Sequence, residues 1–110
     1  MISLHVYITP KVGRATELNK AVHDGWFAAM AEQPGFLSAA VLAPYSDDEL
    51  AALGASKPGS AMEAVAFWDT EAQRAAWAER PIHDRVFNPV IDAAESLSYT
   101  LQTVEHSRNI

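Results

Sequence analysis

Four histidines, His5, His23, His83 and His106, are the side chains of this 110-residue sequence whose protonation changes near neutral pH. An imidazole in that range serves as a general base. There is no cysteine, which removes thiolate metal sites, iron–sulfur clusters, disulfides and cysteine nucleophiles together. The histidines do not fall into HxH, HxxxH or HExxH spacing, and no acidic cluster joins them, so no metal site is expected. Asp47-Asp48-Glu49 lacks the spaced ligands of a calcium loop and suits the start of a helix. The glycines are scattered and no serine stands in a nucleophile elbow, so nucleotide cofactors and hydrolase triads find no support. A histidine acting as general base is the chemistry these residue types leave open.

His83 is the best placed of the four. It follows Pro81 at the start of a predicted helix, about 60° from Val86 on a helical wheel, at the edge of the apolar stripe and one turn before Phe87. The plainer alternative is a half-buried, hydrogen-bonded residue of a helix start. Trp68, at the end of a predicted strand, walls a ligand pocket or offers its indole N–H to a substrate oxygen, unless it simply fills the core. Trp77 is a pocket or core residue of the same kind. Tyr7 and Tyr99, expected on neighbouring strands, each bring a hydroxyl that orients a substrate or packs at a dimer face. Phe27 falls about 140° from Val22, on an otherwise polar side with Lys20 and Asp24, so an exposed ring touching a partner subunit or the 45–60 segment is expected.

The elements that position these residues follow from periodicity. Residues 2–9 alternate Ile2, Leu4, Val6 and Ile8 against Ser3, His5, Tyr7 and Thr9, the period of a strand. From Arg14 to Glu32, Ala15, Leu18, Val22, Gly25, Trp26 and Ala29 recur at spacings of three and four, so a long amphipathic helix is predicted, ending at Gln33-Pro34-Gly35. Phe36 to Ala43 has strand length and composition. Ser46 with Glu49 forms a capping box for a short helix over 47–53, with Gly54 as its C-cap, inside a 45–60 insertion. A third strand spans Ala61 to Asp69. Thr70 with Gln73 reads as a second capping box, and Pro81 opens a further helix that Pro89 is expected to interrupt. A fourth strand runs from Ser96 to Val104.

This order gives an α+β, ferredoxin-like βαββαβ domain over 1–110, with a four-stranded antiparallel sheet and helices on one face. The other face lacks cover. A mixed apolar surface of that size marks an interface, so a homodimer paired through the sheet is expected. At 49% hydrophobic residues the chain builds a core, and its net charge of −6 has the wrong sign for gripping nucleic acid or an anionic membrane. No apolar run approaches a membrane span and the N-terminus lacks the basic start of a signal peptide, so a cytoplasmic protein is expected.

Three motifs resemble the antibiotic biosynthesis monooxygenase family of dimeric α+β barrels. They are Gln33-Pro34-Gly35-Phe36-Leu37 before the second strand, Phe67-Trp68-Asp69-Thr70-Glu71-Ala72 after the third, and Arg80-Pro81-Ile82-His83-Asp84 opening the last helix. The resemblance covers nearly the whole chain in element order. It implies a homodimer with a pocket in each subunit between helices and sheet, and oxidation of a small aromatic or enolisable compound with molecular oxygen and no cofactor. His83 is then the catalytic base, with Trp68, Trp77, Tyr99, Tyr7 and Phe27 around the substrate. The haem-degrading branch of the superfamily fits poorly, since its late-helix histidine falls on Phe87 and the first strand has no asparagine. A non-catalytic dimer binding a hydrophobic small molecule, or a ring-compound isomerase or decarboxylase, are the alternatives on the same scaffold. A pocket filled by Trp68 and Met30 with His83 facing solvent favours the binder; an enclosed cavity with His83 pointing inward favours catalysis.

Overall fold

A computed structural model describes residues 1–110. The elements are β1 (Ile2–Pro10), α1 (Ala15–Lys20), a π-helical segment (Ala21–Phe27), α2 (Ala28–Met30), β2 (Phe36–Leu42), α3 (Asp47–Leu53), β3 (Met62–Trp68), α4 (Glu71–Ala78), α5 (Pro81–Ala93) and β4 (Ala94–Thr103). The sheet runs β2-β3-β1-β4 with every neighbouring pair antiparallel, the ferredoxin-like arrangement. None of the helices is long and apolar enough to cross a membrane.

Alternation sorts the two faces cleanly. Val6 stands opposite Ala64 on β3 and Tyr99 on β4, and Leu4 opposite Ala66 and Leu101. These residues share the helix side, where Leu4, Val6, Ile8, Met62, Ala64, Ala66 and Trp68 join Leu18, Val22, Trp26 and Val90 in one core. The polar set of β1 therefore occupies the face without helices, together with Glu63, Val65 and Phe67. There His5 Nδ1–H donates to Glu63 Oε2 at 2.9 Å and the Ser3 hydroxyl donates to His5 Nε2 at 2.9 Å. The Tyr7 and Thr100 hydroxyls bond at 3.2 Å.

Local signals account for the connections. Glu49 N–H donates to Ser46 Oγ while Ser46 N–H donates to Glu49 Oε1, so the capping box is complete, and Gly54 ends α3 in the left-handed conformation. At Thr70 the box is partial: Gln73 N–H donates to Thr70 Oγ1, but the Gln73 side chain accepts from the Thr70 hydroxyl and leaves its backbone N–H alone. Gly35 holds φ +88°, and a β-carbon there would collide with the Gln73 side chain, so this turn requires glycine on two counts. Arg14 donates to the Asp92 carbonyl at 2.9 Å and to its carboxylate at 2.8 Å, tying the start of α1 to the end of α5.

Two expectations need correcting. Phe27 is buried, 9% exposed, with its ring 5.3 Å from that of Trp26. The cause is the π-helical segment: each residue turns by roughly 80° instead of 100°, which brings Phe27 to about 40° from Val22 and onto the core side. Pro89 does not interrupt α5, which continues to Ala93. Pro89 and Arg85 are both exposed, so the helix hydrogen bond that proline removes lies on the solvent side of α5, where its loss costs least.

Candidate active site

The helices leave part of the helix side of the edge strand β4 open. Tyr99 and Leu101 lie in register with core residues of β1, yet Tyr99 is 61% exposed. The gap is a cleft of about 210 Å³ lined by Leu4 and Val6 of β1, Trp26 of the π-helical segment, Arg74 and Ala78 of α4, His83 and Phe87 of α5, and Leu97 and Tyr99 of β4. The alanine-rich composition of α4 opens it, because Ala78 leaves space where a larger side chain would close over β4.

His83 sits in the first turn of α5, where its N–H donates to the Arg80 carbonyl at 2.9 Å and Pro81 occupies the first helical position. Two aromatic rings hold the imidazole. Trp77 meets it edge-on at 5.2 Å and Phe87 lies nearly parallel at 5.3 Å, so its side chain is only 17% exposed. Nδ1 faces Asp84 Oδ1 at 3.3 Å. With the Nδ1 proton on that carboxylate, Nε2 carries a free lone pair, the arrangement a general base needs.

Arg74 is the one permanent cation of the cleft. Its Nε and Nη2 donate to the two Glu71 oxygens at 2.7 and 2.6 Å, which raises the guanidinium pKa and lowers that of the Glu71 carboxyl, in both cases chiefly through these hydrogen bonds. The Trp26 ring packs 4.9 Å from Phe87, and its Nε1–H is buried without an acceptor in the protein.

Of the expected site residues, His83 and Tyr99 line the cleft and Trp77 stands directly behind the imidazole. Three lie elsewhere. Trp68 is wholly buried beneath Phe36, whose ring meets it edge-on at 5.8 Å, because its strand end points into the core. Tyr7 is on the opposite face of the sheet, bonded to Thr100. Phe27 borders a separate hollow with His23, Phe36 and Ala39. Trp68 and Met30 are packed away in the core, and His83 lines a cleft that is open to solvent beside the exposed Tyr99, not an enclosed cavity. Arg74 escaped sequence reasoning because an arginine three residues after Glu71 looks like an ordinary surface ion pair. No three metal-ligating side chains converge anywhere in the chain.

No protein-family model matches the sequence, and no curated relative does. Solved structures do match. SnoaB from Streptomyces nogalater, a cofactor-independent oxygenase, superposes with a TM-score of 0.75 over 99% of this chain and 97% of its own, at 16% identity. The chain has the fold of the antibiotic biosynthesis monooxygenases. A protein of Nitrosomonas europaea described as a candidate antibiotic biosynthesis monooxygenase superposes with a TM-score of 0.70 over 96% of this chain and all of its own, again at 16% identity. A dimeric ferredoxin-like protein of unknown function from Jannaschia sp. CCS1 gives 0.71 over 94% of this chain and 98% of its own, at 16% identity. At such identities the monooxygenase fold is what these structures share with the chain, and the chemistry must be argued from the cleft.

Proposed function

We propose that the chain is a cofactor-independent oxygenase of a small aromatic or enolisable compound, with His83 as the base. The observation that carries this is the imidazole clamped between Trp77 and Phe87 with Nε2 unengaged in an apolar cleft. Similarity to SnoaB supports the same chemistry. Nε2 takes a proton from an acidic C–H or O–H of the bound ring compound. The resulting anion is electron-rich enough to pass an electron to molecular oxygen, and the two radicals combine into a carbon hydroperoxide, protonated from His83. Removal of the remaining C–H proton expels hydroxide, which leaves as water, and a carbonyl forms. The reaction converts CH₂ and O₂ into C=O and H₂O, so the substrate supplies all four electrons and no external reductant enters. The apolar walls contributed by Leu4, Val6 and Leu97 favour burial of an aromatic ring.

Two copies pair through the helix-free face of the sheet, as the dimeric description of the Jannaschia protein supports. His83 and the cleft are on the other side, so assembly and chemistry are separable. An oxygen electrode tests the function with a panel of one- to three-ring phenols and enolisable ketones. Oxygen uptake by the wild-type protein, reduced about 100-fold or more by His83→Ala with the dimer intact, is expected. Undiminished uptake in that variant, or none by the wild type across the panel, overturns it.

A further inference from the structure

Taking a proton from a bound ring compound leaves negative charge in a cleft built mainly of hydrocarbon, and the whole chain carries a net charge of −6. Neither circumstance favours an anion. One group in the cleft does. Arg74 is fixed by Glu71 through Nε and Nη2, while its Nη1 amino group donates to no part of the protein, and the side chain is only 18% exposed. Held in this way on the wall of an apolar cleft, Nη1 is matched by an oxygen that accepts hydrogen bonds, best of all a charged one.

We propose that Arg74 is the residue that positions the substrate oxyanion: a phenolate or enolate oxygen seats against its Nη1, so the cleft selects the deprotonated ring compound over the neutral one. The inference rests on the function proposed above and names its substrate class as one whose ionised oxygen sits beside the acidic proton. Glu71 offsets much of the guanidinium charge, so the selection acts by short-range hydrogen bonding. A point charge without the planar fork retains only part of it.

The test is spectrophotometric titration of 4-nitrophenol, whose anion absorbs in the visible, in the presence of the full-length protein, with neutral 4-nitroanisole as the comparison ligand. Wild-type protein is expected to bind nitrophenolate about tenfold more tightly than nitrophenol, moving the titration of the bound probe to lower pH. Arg74→Gln abolishes that preference, and Arg74→Lys keeps a fraction of it. All variants bind 4-nitroanisole within about twofold of one another. The preference persists in His83→Ala, which separates it from attraction to a protonated imidazole. Equal binding of anion and neutral probe by the wild type, or an unchanged preference in Arg74→Gln, overturns the role of Arg74 while leaving His83 as base untouched. Failure of the wild type to bind either probe overturns both.

Discussion

The two faces of the sheet are built from the same alternating strands and meet opposite demands. On the helix side, Val6, Ile8, Met62 and Trp68 are covered by the chain's own helices, and a lapse in that cover, over Tyr99 and Leu97, collects His83 and Arg74. On the other side no element of the same chain provides cover. There the surface is threaded by Ser3–His5–Glu63 and Tyr7–Thr100 hydrogen bonds around Val65 and Phe67. Apolar attraction is non-directional, whereas a hydrogen-bonded polar lattice fits a partner in few ways. On the function and pairing proposed above, the helix side carries stability and chemistry, and the open side carries specific pairing.

That division is open to attack at three points of decreasing consequence. Phe27→Ala strikes the helix side and is expected to cost about 3–5 kcal/mol in urea unfolding, as for a buried ring. A cost below about 1 kcal/mol would mean that the ring is exposed and that the π-helical turn is misassigned. Val65→Asp strikes the open face next to His5 and Ala40. Sedimentation should show dimerisation weakened by roughly 100-fold or more through an unpaired buried charge, with the circular dichroism spectrum kept. An unchanged sedimentation coefficient would move the interface to another surface. Ser46→Ala touches neither face; it removes the hydroxyl that caps α3 and is expected to cost about 1 kcal/mol, with oxygen uptake and dimerisation unaltered. Loss of either would tie the 45–60 insertion to the function.

Sequence periodicity revealed most of this architecture, for reasons that are local. The alternation of Ile2 to Thr9 follows from strand geometry, and the Ser46–Glu49 box and Gly54 from backbone groups within one turn. Phe27 was misplaced because a wheel assumes a constant turn, and nothing in Val22-His23-Asp24-Gly25-Trp26 announces an i→i+5 bond. Pro89 passes unnoticed through α5 because the exposure of Arg85 and Pro89 is a tertiary fact. For the site, the position of His83 was legible from Pro81 and the stripe that follows it. That Trp68 fills the core while Trp26 and Arg74 reach the cleft depends on how α4 and α5 lie over β4, which no spacing within one element encodes.

The claim on which the account turns is that the His83 imidazole removes a proton from a ligand in this cleft, and that step can be watched without oxygen. An enolisable aromatic ketone such as 2-tetralone, incubated with the protein in deuterated buffer under argon and followed by proton NMR, isolates it. Protein-dependent deuterium exchange at the carbon between ring and carbonyl, lost on His83→Ala, is the predicted result. Exchange at the same rate in that variant, or no acceleration by the wild-type protein, would contradict it.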